Sequence, residues 1–149
     1  MEPLTLTPYK PSDQADVKQL ILSGLVEHWG FLDETKNPDL DDIAASYAGG
    51  TFLVGRLGDR IVGTGALVPR SSDTAEIARM SVAKELRQQG IGRRILQALL
   101  EQARAQGFRQ VILETTATWS EVVAFYLRCG FHITHYQDGD VYFALQFTR

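Results

Sequence analysis

The chain has 149 residues, 44% of them apolar and 22% charged, with a net charge of −3 at neutral pH. That is enough chain for one domain with a buried core, and the acidic balance excludes a general nucleic-acid binder, which would be basic. A lone Cys129 and three scattered histidines give neither an internal disulfide nor a metal-ligand pattern.

No run of about 18 apolar residues exists to span a membrane. The start, Met-Glu-Pro-Leu-Thr, has neither the basic region nor the apolar core of a secretion signal. A cytoplasmic protein without a metal is the expectation.

No repeat or linker divides the chain. Leu4–Thr7 alternates briefly and reads as a strand. Ser12 or Asp13 can cap a helix to about His28, with Val17, Leu20, Ile21 and Leu25 at helical spacing. A loop is expected over Trp29–Asn37 and a second helix over Pro38–Tyr47. Thr51–Leu57 and Arg60–Val68 are strands joined at Gly58-Asp59, a strong hairpin signal. Thr74–Val82 is a strand, Ala83–Gln89 a polar connection, and Gly90–Gln106 an amphipathic helix stopped by Gly107. A strand at Val111–Glu114, a short helix at Ser120–Cys129, and strands at Phe131–Tyr136 and Val141–Phe147 complete the order β-α-α-β-β-β-α-β-α-β-β. The fold class is α+β: a mixed, mostly antiparallel sheet of six to seven strands with helices on both faces.

The most informative segment is Arg87-Gln88-Gln89-Gly90-Ile91-Gly92, which runs into a helix beginning Arg93-Arg94. A helix N-terminus leaves about four amides unpaired and carries roughly half a positive charge. Glycines there let a bulky anion approach those amides. Arginines at that end are unfavourable unless something negative lies between them and the helix.

Three phosphate-binding patterns compete for this turn. A triphosphate loop needs Gly-Lys-Ser/Thr, which is absent. A dinucleotide fingerprint finds two of its glycines in Gly90 and Gly92 and a ribose-binding acid in Glu114, but Ile95 stands where the third glycine belongs. The polar residues between Val82 and Gly90 also break the tight strand-to-turn geometry that this fingerprint requires.

The third pattern fits. Arg87-x-x-Gly90-x-Gly92 after a strand ending Met80-Ser81-Val82, with Ala124-Phe125-Tyr126-Leu127-Arg128-Cys129-Gly130-Phe131 downstream, resembles the GCN5-related N-acetyltransferases over most of the chain. The resemblance implies a single acyl-CoA N-acyltransferase domain. It also implies an acetyl transfer from acetyl-CoA to a primary amine by direct attack in a ternary complex. The amides of Gln88, Gln89, Gly90, Ile91, Gly92 and Arg93, with Arg87 and Arg94, would hold the pyrophosphate. Main-chain groups of Met80, Ser81 and Val82 would pair with the pantetheine arm between two splayed strands, one N–H polarising the thioester carbonyl. A homodimer is compatible with the resemblance.

The transfer needs a base, because an alkylammonium with a pKa of about 10.4 is charged at neutral pH. It also needs a proton for the departing thiolate. Glu76 matches the base glutamate of the histone-acetyltransferase branch, and strict alternation places it on the side of Ala78, Met80 and Val82. The alternative is a carboxylate facing water or paired with Arg70 or Arg79. Tyr126 matches the family's tyrosine near the sulfur, against a plain core aromatic beside Phe125 and Phe131. Cys129 reads as packing, since no His or Asp is placed to activate it.

Trp119 stands where many members carry an asparagine for the cofactor arm, and an indole offers one donor and more bulk. It packs against the arm or the acceptor, or lids the core. For the acceptor, His28, Trp29 and Phe31 lie in a segment of rings flanked by acids that suits a cationic amine; an ordinary helix-to-loop corner is the plainer reading. Two other functions are open to the sequence: a coenzyme A-binding regulatory domain without turnover, and the dinucleotide oxidoreductase that Ile95 disfavours.

Overall fold

In a computed structural model, residues 3–30 and 36–147 are described. Seven strands form one sheet in the order β1-β2-β3-β4-β5-β7-β6. They are β1 (Leu4–Pro8), β2 (Thr51–Leu57), β3 (Arg60–Pro69), β4 (Thr74–Val82), β5 (Gln110–Thr116), β6 (His132–Gln137) and β7 (Asp140–Gln146). The helices are α1 (Gln14–Trp29), α2 (Ile43–Ser46), α3 (Ile91–Ala105) and α4 (Ser120–Arg128). Expected element order and fold class both match. Neighbouring strands run antiparallel except β4 and β5.

Each face of the sheet has its own core. Ile91, Ile95, Leu96, Leu99 and Ala103 recur at helical spacing along one stripe of α3, and bury against Val62, Leu67, Ala75, Ile77, Val111 and Phe143. Gly65 of β3 lets α3 come close, because a Cβ there would lie 2.8 Å from Ile95 Cγ2. On the other face Val17 and Ile21 of α1 meet Leu40, Ile43, Phe52, Val54 and Ala66.

One expected helix does not form as a unit. Pro38–Tyr47 divides into a 3-10 turn, Pro38–Asp41, and the short α2. Asp42 breaks it: its backbone is extended and its Oδ1 accepts from the Ala45 amide at 3.1 Å, capping α2 anew. Leu40 and Ile43 are nevertheless both buried. No helix among the described residues is long and apolar enough to cross a membrane.

The N-terminal edge is pinned by a buried ion pair. Asp13, 5% exposed, accepts from Arg56 Nη2 at 2.6 Å and from the Lys10 amide at 3.0 Å. Asp13→Ala would strand the Arg56 guanidinium, a loss of about 3 kcal/mol read as a fall in Tm of roughly 10 °C. Ligand affinity, measured on the folded variant, should not change.

Candidate active site

The site begins where the sheet comes apart. β4 and β5 pair only at Thr74 with Gln110, Ala75 with Val111 and Glu76 with Ile112. Beyond that point β4 runs on to Val82, while β5 stays laced to β7 as far as Thr116. A wedge therefore opens between the two strands with Glu76 at its apex.

A bulge in β4 turns the strand away. Its register with β3 shifts between Thr64 and Ala66, and Arg79 sits at φ 53°. A left-handed conformation costs a non-glycine residue about 1–2 kcal/mol, so something must hold it. The buried Thr64 hydroxyl donates to the Arg79 carbonyl at 2.8 Å. The guanidinium forks onto Asp39, Nε to Oδ2 at 2.9 Å and Nη2 to Oδ1 at 2.6 Å, and the Tyr47 hydroxyl donates to Asp39 Oδ2 at 2.6 Å. Burial works to raise the Asp39 carboxyl, but the Arg79 fork and Tyr47 outweigh it and hold the group below its ordinary range. Tyr47 is pushed up to about 12, by burial first and then by Asp39.

The bulge corrects the expected alternation. Ala78 packs into the α1 side core, whereas Met80 and Val82 pack on the α3 side. Glu76, two residues before Ala78, thus faces α1 and not the side of Met80 and Val82. The extra residue of the bulge changes the face. Ser81 lies toward α1, where a Cβ on Gly24 would come within 3.6 Å of its hydroxyl.

Past β4, a 3-10 turn at Lys84–Leu86 leads to Gln88 at φ 63° and Gly90 at φ 89°, the N-cap of α3. The first amide of this junction to find an acceptor is that of Arg94, bonded to the Gly90 carbonyl at 3.0 Å. Among the described residues, none of the backbone amides from Gln88 to Arg93 has a partner. Arg93 and Arg94 are exposed beside them. Arg87 is used differently from expectation. Its guanidinium pairs with Glu27 of α1 and donates to the Val82 carbonyl at 3.3 Å, so it ties α1 to the turn. The Arg87 hydrogen bond lowers the Glu27 carboxyl pKa.

Tyr126 lies in the core on the α3 side, its ring edge-on to Phe125 and Phe131 and tilted against Phe143. Among the described residues no fully buried side-chain oxygen or nitrogen lacks a hydrogen bond, and the Tyr126 hydroxyl makes none within the chain. That oxygen is therefore not fully enclosed, although the residue as a whole is buried. Burial, with Cys129 adding to it, pushes the phenol well above its ordinary range. Cys129 is half-buried, and burial raises its thiol pKa despite Arg93 and Arg128.

Trp119 caps α4 and gathers the expected acceptor residues around it. The His28 ring stacks on it at 4.3 Å, and Trp29, 50% exposed, lies 5.5 Å away. The end of α1 is thereby joined to the start of α4. Phe31 lies outside the described residues.

Two carboxylates stand at the wedge. Glu76 accepts from Arg70 Nε at 2.7 Å, the ion pair that sequence offered as the alternative to a base. Glu114, in sequence terms a match only to a ribose-binding acid, follows Ile112 on the face away from buried Val111 and Leu113, opposite Tyr142 of β7. Burial raises its carboxyl pKa; the Tyr142 hydroxyl opposes this, and Asp140 and Glu76 add to it. The signal that could have found it is its place on β5 just beyond the paired segment, which no local pattern reveals. Ile95, the residue in the third glycine position, is fully buried under the sheet, so nothing can approach the backbone there as a dinucleotide would.

Residues 16–131 match the family model described as Acetyltransferase (GNAT) family. N-acetyltransferase 8F1 of Rattus norvegicus is 34% identical over 103 residues, which cover 64% of this chain and 47% of that protein. The uncharacterized N-acetyltransferase YjgM of Escherichia coli is 32% identical over 108 residues, covering 69% of this chain and 65% of its own. The chain thus spans about half to two thirds of the length of these relatives. The PaiA N-acetyltransferase of Thermoplasma acidophilum, solved in complex with coenzyme A, superposes with a TM-score of 0.86 at 14% identity, over 97% of this chain and 99% of that one. With a splayed sheet, a turn of unpaired amides and a matching family model in agreement, the chain belongs to the GNAT acetyltransferase family.

Proposed function

We propose that the protein moves an acetyl group from acetyl-CoA to a primary amine by direct attack. The observation that carries this is the wedge between β4 and β5 ending at a turn whose amides have no acceptor. A pyrophosphate fits that turn: unpaired N–H groups at a helix start, with Arg93 and Arg94 beside them, satisfy an anion. The unpaired edge of β4 at Met80, Ser81 and Val82 can lace a pantetheine arm as an added strand, with Trp119 walling the opposite side. Acetyl-CoA, when bound, supplies an acyl group activated as a thioester.

The chain's own groups divide the proton work across the wedge. Glu114, with Glu76 beside it, takes a proton from the acceptor's ammonium on the α1 side, freeing the amine lone pair to attack the thioester carbonyl. A raised carboxyl pKa brings Glu114 nearer to the working range of a general base. Tyr126, on the α3 side with its proton retained, is the donor to the departing thiolate. His28 and Trp29, stacked with Trp119, present ring faces to the acceptor.

Titration calorimetry with acetyl-CoA, using NADH as the control, tests the reading: acetyl-CoA should bind and NADH should be silent. Absence of acetyl-CoA binding would sink it. Once an acceptor amine is found by thiol release, Glu114→Gln should lower kcat/KM by about 100-fold. Glu76→Gln should cost less, because Arg70 already engages that carboxylate. Equal losses would make the two glutamates joint bases, and a larger loss at Glu76 would return it to the principal role.

A further inference from the structure

Arginine is an unexpected residue at the β4 bulge. Glycine or asparagine adopts a φ of 53° readily, whereas arginine does so only when its surroundings impose it. Here they impose it from two directions. The Thr64 hydroxyl fixes the Arg79 carbonyl, and the Asp39 carboxylate, itself held by Tyr47, fixes the guanidinium. Strain that the surroundings over-determine in this way marks a working part of a protein.

The planar peptide carries the consequence one atom further. The bond between Arg79 and Met80 is trans, so the Met80 N–H points opposite to the Arg79 carbonyl. That carbonyl is turned to Thr64 on β3. The Met80 N–H is therefore directed away from β3, toward the side where β4 has already parted from β5.

We propose that Arg79, Asp39 and Tyr47 form a positioning device that holds the Met80 N–H aimed into the wedge, where it donates to the thioester carbonyl oxygen of acetyl-CoA. This rests on the acetyl-CoA reading above. The partners are distant in sequence, Asp39 lying 40 residues before Arg79. The device therefore also ties the segment that follows α1 to the strand that lines the wedge. None of the three side chains touches the reacting atoms; they act through the backbone of residues 79 and 80.

Infrared spectroscopy of protein-bound acetyl-CoA carrying a ¹³C-labelled acetyl carbonyl reads this directly, with no acceptor amine required. A donor on the carbonyl oxygen lowers the stretching frequency relative to free acetyl-CoA. In Asp39→Asn most of that shift should be lost while coenzyme A binds with wild-type affinity, because the pyrophosphate turn is untouched. Tyr47→Phe, which leaves the Arg79 fork in place, should lose a smaller part and serves if Asp39→Asn folds poorly by circular dichroism. In turnover with an identified amine, kcat of Asp39→Asn should drop by about 10- to 100-fold, the range for a misplaced reacting geometry.

A folded Asp39→Asn that keeps the full carbonyl shift overturns the inference and leaves Arg79 as a structural ion pair. If both variants bind coenzyme A weakly, the cluster supports the whole fold and the positioning role is likewise overturned. A wild-type protein that binds no acetyl-CoA would instead overturn the acetyl-CoA reading itself.

Discussion

Gly92→Asp should abolish acetyl-CoA binding while leaving the fold as stable as before, or slightly more so. Gly92 is the second residue of α3, and a Cβ there would meet Val82 Cγ2 at 3.4 Å and Phe125 Cζ at 3.7 Å, ordinary contact distances. The chain itself therefore does not require glycine at this position. A carboxylate in the first turn of a helix contributes about 0.3–1 kcal/mol through the unpaired amides and the helix dipole. α3 lacks any acidic residue there, so the substitution supplies what the helix by itself would favour. For the same reason it is ruinous to function: the new carboxylate takes the amides a pyrophosphate needs and repels its charge. A loss in acetyl-CoA affinity on the order of 100-fold or more is expected. Calorimetric titration and thermal melting on one sample measure both effects. A variant that binds normally would show that the phosphates sit elsewhere; one that unfolds would show that Gly92 is there for packing.

Tyr126→Phe should lower kcat by roughly 100-fold and leave the affinity for acetyl-CoA unchanged. The ring is buried among Phe125, Phe131 and Phe143, and phenylalanine fills the same space. The hydroxyl has no partner within the chain to lose, so Tm should hardly move. The raised phenol pKa, caused by burial first and Cys129 second, fixes the sign of the pH dependence. The donor stays protonated beyond neutral pH, so no loss of rate from Tyr126 should appear on the alkaline side below about pH 10. Unchanged kcat in the variant would assign the residue to the core alone.

What the sequence made legible was local. β4 appears with the boundaries its alternation predicts, Thr74–Val82. The start of α3 lies one residue from its predicted place because Gly90 adopts the left-handed cap its identity allows. The missed features depend on partners far along the chain. Arginine carries no signal for a positive φ, and only Asp39 and Thr64, brought in by folding, make the bulge at Arg79 hold. Alternation therefore failed at one residue: it kept Glu76 on the side of Ala78 but put Met80 and Val82 there too. Arg87 lies beside the anion-binding arginines in sequence, yet its charge is met by Glu27, 60 residues earlier. Glu114 matches only the acid of a dinucleotide fingerprint that Ile95 breaks; its meaning here comes from the point where β4 leaves β5.

That point of departure also sets how the molecule can bend. β1 to β4 form one set of strands laced only to each other, and β5, β7 and β6 form another. The joint between them is the three-residue pairing of Thr74–Glu76 with Gln110–Ile112, stiffened by the Asp73 carbonyl, which accepts from the amides of Arg109 and Gln110. A change in the angle between the two sets pivots on this short spine and breaks no ladder hydrogen bond in either. At the far end the rings of His28 and Trp29 against Trp119 span the opening from α1 to α4. The sheet is in effect two leaves with a hinge at one end, backed on one face by the α3 core that packs on both and closed on the α1 side by an aromatic clasp, so a ligand entering from the α1 side meets the clasp first.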